Sequence, residues 1–149
     1  MVQNLPPAVI TRSVVFVVAL LVLLVAHQVG DHILQTDHQA AHKTGGGLAA
    51  TWGMVGHIVT YHAAAVILLL ATFALLGLPL TVPGGLAGLG FSAATHALID
   101  RRWPVRRILH ATRSDKFAET TTPVNGMYAA DQSLHQLALL IAAVLIATL

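Results

Sequence analysis

Four apolar stretches, each about as long as a bilayer is thick, leave this chain few ways to fold. A helix that crosses the hydrocarbon core needs about 20 mostly apolar residues. Ala8 to about Gln35, Leu48 to Leu78, Val82 to Arg102 and Met127 to Leu149 all qualify, with no charge in their middles. Backbone in lipid must satisfy its own hydrogen bonds, and nothing here alternates like a barrel strand, so helices are the economical solution. With 149 residues, 56% hydrophobic and 9% charged, and a mean hydropathy of +0.74, the chain is too apolar for an ordinary soluble domain and too short for two membrane domains. The expected architecture is all-α: a single transmembrane domain over residues 1–149, with helices at about 8–35, 48–78, 82–102 and 127–149 and a polar loop over 103–126.

The first apolar run is not a secretory signal. Lys and Arg are nearly absent before it, no small-x-small cleavage site follows, and the segment continues into His27-Gln28-Val29-Gly30-Asp31. The chain has no Cys, which removes disulfides and thiolate metal sites from consideration. Its net charge of +2 arises from a local basic cluster and is no nucleic-acid signature.

Charge placement predicts orientation. Arg101, Arg102, Arg106, Arg107, Arg113 and Lys116 lie between the third and fourth spans, Lys43 lies between the first and second, and only Arg12 is near the opposite side. Positive loops stay in the cytoplasm, so both termini face outward in a multi-pass protein of the bacterial inner membrane. The end of span 1, the start of span 2, the end of span 3 and the start of span 4 then share the cytoplasmic side. The polar residues occur at these four places.

They form a pattern. His27-x-x-x-Asp31 and His96-x-x-x-Asp100 close two descending spans, and Asp131-x-x-x-His135 opens an ascending one. The reversal places the three histidines at one depth and the three aspartates at another. Residues four apart share a helix face, so each pair offers an imidazole and a carboxylate to one interior centre, and His57 adds a seventh candidate ligand. Aligning spans 1 and 2 with spans 3 and 4 pairs His27/Asp31 with His96/Asp100 and His57 with His135. That is the trace of a duplicated helical hairpin, although Gly53 stands where the second half has Asp131. Imidazole with carboxylate suits Zn first, then Fe or Mn, as one ion or two. Ionisable residues at membrane depth are costly and functional by default. Gln35, Tyr61 and Gln132 stand beside this set as orienting residues. His62 falls on another face and should pack against or bond a neighbouring helix, His32, His38, His42 and His110 should be solvated, and Ser92 should bond its own helix carbonyl.

The series from His27 to Asp37, the His early in the second span, His96-Ala97-Leu98-Ile99-Asp100 and Asp131-Gln132-Ser133-Leu134-His135 resemble domain of unknown function 3307, a family of small bacterial integral membrane proteins. The resemblance covers nearly the whole chain, and that family carries no activity to transfer. A looser resemblance, to inner-membrane proteins described as metal-dependent hydrolases, implies hydrolysis.

The reading that joins these observations is a metal-dependent hydrolase of a lipid or lipid-linked substrate, in which water made nucleophilic by the metal attacks an ester, amide or phosphoester. His27, His96 and His135 are its primary ligands. Asp31, Asp100 and Asp131 complete the coordination, one of them serving as catalytic base, and Arg101, Arg102 or Arg106 holds an anionic headgroup. Its partners are membrane lipid and such a substrate, with no nucleic acid, and the oligomeric state stays open. Glu119 is the only Glu and no His-Glu-x-x-His occurs, which excludes a zinc protease of that type. Two alternatives come from other classes: a metal or proton transporter or sensor, and a bis-histidine haem protein.

Because the native chain lacks Cys, topology is directly testable. Cysteines introduced by Thr112→Cys and Leu149→Cys should label from opposite sides of sealed vesicles. Labelling from the same side would overturn the orientation and the cytoplasmic placement of the site.

Overall fold

Helix boundaries follow from short local signals at each end of the apolar runs. In the computed structural model, which describes residues 5–149, helix α1 (Pro7–His32) begins with Pro at its first position, where the missing N–H costs nothing. It stops before the expected Gln35: Ile33 and Leu34 N–H both donate to the Val29 carbonyl, which tightens and closes the last turn. Thr36 then caps a short helix, α2 (Asp37–His42), through a reciprocal capping box with Gln39. Helix α3 (Gly47–Leu76) ends at Gly77, whose φ of 63° lies in the left-handed region that glycine enters without strain. Thr81 caps α4 (Val82–Ile99) by accepting from Gly84 N–H at 3.1 Å, and Asn125 caps α7 (Gly126–Thr148) by accepting from Tyr128 N–H at 2.9 Å.

The segment expected as a polar loop carries two further helices, α5 (Trp103–Ala111) and α6 (Asp115–Glu119). The third span stops short of Arg102: α4 ends at Ile99, and Arg102 turns the corner into α5 in the left-handed region at φ 61°. Helix α5 is amphipathic. Val105 and Leu109 are buried, while Arg106, Arg107 and His110 are exposed and the Arg107 guanidinium lies 4.7 Å from the Trp103 ring centre.

Four of the helices, α1, α3, α4 and α7, are long and apolar enough to cross a membrane. They form an all-α bundle, with no strand among the described residues. α1 packs on α3 and α7, α4 packs most extensively on α7, and α3 and α4 complete the ring. Large apolar side chains such as Val17, Leu21, Val25, Val59 and Ile67 point outward, the surface that a lipid environment covers.

One spacing organises the interior. The buried row of α1 runs Val15, Ala19, Leu23, His27; that of α3 runs Gly53, His57, Tyr61, Ala65, Leu69, Phe73; that of α4 runs Gly84, Gly88, Ser92, His96; and that of α7 runs Asp131, His135, Leu139, Ala143. Every row steps by four, so each helix presents one ridge to its neighbours. In one half of the bundle the ridges are apolar, around Val15, Ala19, Leu69, Phe73, Leu139 and Ala143. In the other half the same ridges turn to His and Asp.

Glycine sets how closely α4 and α7 approach. A Cβ on Gly88 would stand 2.5 Å from Ile146 Cγ1 and 2.7 Å from the Ala142 carbonyl, and one on Gly84 would stand 2.8 Å from the Ile146 carbonyl. Small residues at this spacing let backbones touch where lipid provides no hydrophobic drive for association. Gly90 has nothing within 4 Å of its Cβ position and is exposed. Gly88→Leu should therefore destabilise the bundle by about 1–3 kcal/mol or more, whereas Gly90→Leu should leave thermal unfolding in detergent nearly unchanged. Equal melting of the two variants would show that α4 and α7 do not pack through this face.

Candidate metal centre

Helices α1 and α4 reach one end of the bundle with their C-terminal turns, and α3 and α7 leave the same end with their N-terminal turns. The i+4 ridges thereby bring His27, His57, His96 and His135 together with Asp31, Asp100 and Asp131. The histidine rings pack on one another, with His27–His135, His57–His96 and His96–His135 ring centres 4.8, 5.0 and 4.4 Å apart, and the carboxylates approach their Nε2 atoms. His27 and His57 are fully buried, and His96, Asp100 and His135 nearly so. Asp131 is the most open of the three carboxylates, with its side chain 13% exposed against 5% and 1% for Asp31 and Asp100.

The tightest part of the cluster is a four-atom set. His57 Nε2 lies 2.9 Å from His96 Nε2, 3.0 Å from Asp31 Oδ1 and 3.4 Å from Asp100 Oδ2; His96 Nε2 lies 3.3 Å from each of the same two oxygens. Ligands held 2.0–2.2 Å from a tetrahedral ion stand about 3.3–3.6 Å apart, so these separations are close to the edges of such a coordination shell. Although the two oxygens lie near both nitrogens, neither makes a hydrogen bond of acceptable geometry to a histidine; Asp100 Oδ2 is ion-paired with Lys43, and Asp31 Oδ1 is left without a partner. Buried polar atoms left this way are costly. A cation between them would satisfy all four at once.

The second half of the cluster continues from the other oxygen of each carboxylate. His135 Nε2 is 3.4 Å from Asp100 Oδ1 and 3.8 Å from Asp131 Oδ2, and His27 Nε2 is 3.8 Å from Asp31 Oδ2. Gln132 Oε1 accepts from His27 Nε2–H at 3.0 Å, which orients that ring. Tyr61 lies against the histidines, its ring centre 4.3 Å from that of His96, and its hydroxyl is buried without a partner. Gly30 makes room for it, since a Cβ there would overlap the Tyr61 ring. Two groups, His27/His96/His135 and Asp31/His96/Asp100/His135, have ligand atoms within 4.8 Å of one another and could hold a metal ion. The rings pack on each other directly, and His57 and His96 Nε2 at 2.9 Å leave no space for a porphyrin plane between them.

Lys43 is the member that sequence reasoning used only for topology. Its Nζ lies 3.0 Å from Asp100 Oδ2. Helix α2 delivers it: His42 packs where Gly53 lacks a side chain, and Arg101 Nη1 donates to the Gly45 carbonyl at 3.0 Å, pinning the loop that follows. The signal for α2 was present in Thr36-x-x-Gln39, a capping box. Gly53, the gap in the hairpin duplication, is thus the seat of this strap.

Gln35 lies past the end of α1, its amide nitrogen buried without a partner, and does not continue the His27/Asp31 ridge. Arg101 is engaged with Gly45, Arg102 forms the α4/α5 corner, and Arg106 borders a surface pocket with Asp115 and Glu119. His62 bonds the Ile58 carbonyl through Nδ1 and reaches Ser92 Oγ on α4 at 3.3 Å through Nε2. Ser92 is therefore drawn to a neighbouring helix and not to its own carbonyl, because His62 offers a side-chain partner inside the bundle. His32 is held by the Tyr128 hydroxyl at 2.6 Å.

A family described as protein of unknown function (DUF3307) matches residues 19–149, the whole length that carries these motifs. The chain belongs to the DUF3307 family. No curated protein and no solved structure matched significantly, so the looser likeness to inner-membrane hydrolases gains no support from the comparisons. DUF3307 membership supplies no chemistry, which leaves the cluster itself as the pointer to function.

Lys43 gives that cluster a test. An ammonium 3.0 Å from a candidate ligand oxygen opposes a cation at the same place by on the order of 1–4 kcal/mol. Lys43→Gln should therefore bind Zn2+ at least about tenfold more tightly than the parent chain in competition titrations with a chromogenic chelator. Unchanged affinity would place Lys43 away from the ion.

Proposed function

We propose that this chain is a membrane-embedded, metal-dependent hydrolase whose substrate is an ester, amide or phosphoester carried by a lipid. The observation that carries the metal is the His57/His96/Asp31/Asp100 set, in which the buried Asp31 Oδ1 has no hydrogen-bond partner. Charge supports it. Asp31, Asp100 and Asp131, when ionised, contribute three negative charges and Lys43 one positive charge, a deficit of two that one divalent cation removes. All donors are nitrogen or oxygen, a set that suits Zn, with Fe or Mn as alternatives.

A divalent ion in this cluster would supply Lewis acidity and, at a position left open by the protein donors, a nucleophile at neutral pH. The chain's own groups would do the rest. His27, oriented by Gln132, and Tyr61 wall the centre against water. Asp131, at the open edge and 3.8 Å from His135, takes the proton as water oxygen bonds to the acyl carbon or phosphorus, then returns it to the leaving oxygen or nitrogen as that bond breaks. The outward apolar faces of the bundle would bring a lipid-borne substrate to the same level, and exposed Arg102 and Arg106 would meet its headgroup.

A second reading, a metal or proton transporter or sensor, is favoured by the enclosure of the cluster, since His27 and His57 have no exposed surface. One comparison separates the two. Asp131→Asn keeps the shape but cannot accept the proton, so it should retain the fold and metal while losing at least about a hundredfold in turnover, read as a metal-dependent product in a screen of lipid extracts. A full metal complement with no product from any lipid class, together with metal-dependent ion flux in proteoliposomes, would replace the hydrolase by a transporter.

A further inference from the structure

Four protein donors around one ion leave no coordination position for water, the arrangement of a closed site, whereas catalytic ions keep three protein ligands and an open place. The other half of the cluster has that form. Asp100 is the hinge: its Oδ2 faces His57 and His96 at 3.4 and 3.3 Å, and its Oδ1 faces His135 at 3.4 Å. His135 Nε2 is buried, with its side chain 3% exposed, and has no hydrogen-bond partner. A ring nitrogen of His27 lies within 4.8 Å of one on His135, and the His27 Nδ1 is likewise buried and unpartnered.

We infer that the bundle holds a second divalent cation, ligated by His135, His27 and Asp100 Oδ1, with the Asp100 carboxylate bridging it to the first. The second ion has three protein donors and an open position, and Asp131 borders it through His135 at 3.8 Å. The two ions have different tasks: the first neutralises the buried carboxylates and fixes Asp100, and the second is where substrate oxygen is received. Paired ions of this kind sit roughly 3.5–4 Å apart and clamp the attacking and leaving oxygens of a displacement. Two divalent ions bring four positive charges to a cluster whose carboxylates and Lys43 sum to minus two. The surplus favours an anionic substrate group, which narrows the substrate class to a phosphoester. This inference rests on the metal-dependent reading above and is tested apart from activity.

The full chain, purified in detergent without an affinity-tag metal step, is stripped, loaded with Mn2+ and freed of excess ion. The expected result is two Mn2+ per chain by elemental analysis and an electron paramagnetic resonance spectrum of an exchange-coupled pair. His135→Gln should bind one ion and give an isolated Mn2+ spectrum, with helix content unchanged by circular dichroism. Inorganic phosphate should tighten the second binding step at least about fivefold in the parent chain and have no effect in His135→Gln. One ion per chain with an uncoupled spectrum in the unaltered protein would overturn the second position and leave the single-ion centre standing. No retained ion would overturn both, and two ions whose affinity ignores phosphate would overturn the phosphoester assignment.

Discussion

Three carboxylates buried at one level of an apolar bundle are the constraint on which the rest of this structure turns. Removing a carboxylate from water costs several kcal/mol even after relaxation, and ionisable groups at membrane depth persist where something pairs with them. Lys43 answers part of the demand through its 3.0 Å contact with Asp100, and four histidines surround the remainder. Their nitrogens approach the carboxylate oxygens, yet Asp31 Oδ1 and His135 Nε2 still lack hydrogen-bond partners. The proposed cation centre would meet this demand with the atoms already in place.

Packing far from the centre serves the same end. The row Gly84, Gly88, Ser92, His96 joins the glycine contact with α7 to a cluster histidine along one face. A rotation or slide of α4 that relieved Gly88 against Ala142 and Ile146 would also swing His96 and Asp100 out of register with His57 and His135. The apolar half thus acts as the clamp that sets ligand geometry, the role a rigid supporting shell has in any preorganised site. Gly30 and Gly53 extend this to the polar end. One admits Tyr61 against His96, and the other seats the strap that carries Lys43.

Much of this was legible in the residues. Length and hydropathy gave four membrane-length helices, and the reversed order of Asp131 and His135 relative to His27/Asp31 and His96/Asp100 reflects antiparallel neighbours meeting at one end. The interior faces were harder to read because apolar residues surround each helix on all sides, so hydrophobic periodicity marks no core. Small and ionisable residues mark it instead, at the i+4 steps through Gly84, Gly88 and His96. His57 stands alone in its span without an aspartate four residues away, which hid its position at the centre of the tightest set. Lys43 was obscure for another reason: its contact depends on α2, a helix of 6 residues announced only by its capping box. Gln35 shows the converse error, since helical spacing extrapolated past His32 ignores where the backbone turns.

X-ray absorption at the metal edge, on full-length protein purified without exposure to tag-loading metal, tests the central claim most directly. The account predicts stoichiometric bound metal with only nitrogen and oxygen neighbours at roughly 2.0–2.2 Å and the outer-shell scattering of imidazole, lost when His57 and His96 are both replaced by Gln. Folded protein with no stoichiometric metal, or with metal whose spectrum lacks imidazole and is unchanged by that double replacement, would contradict it.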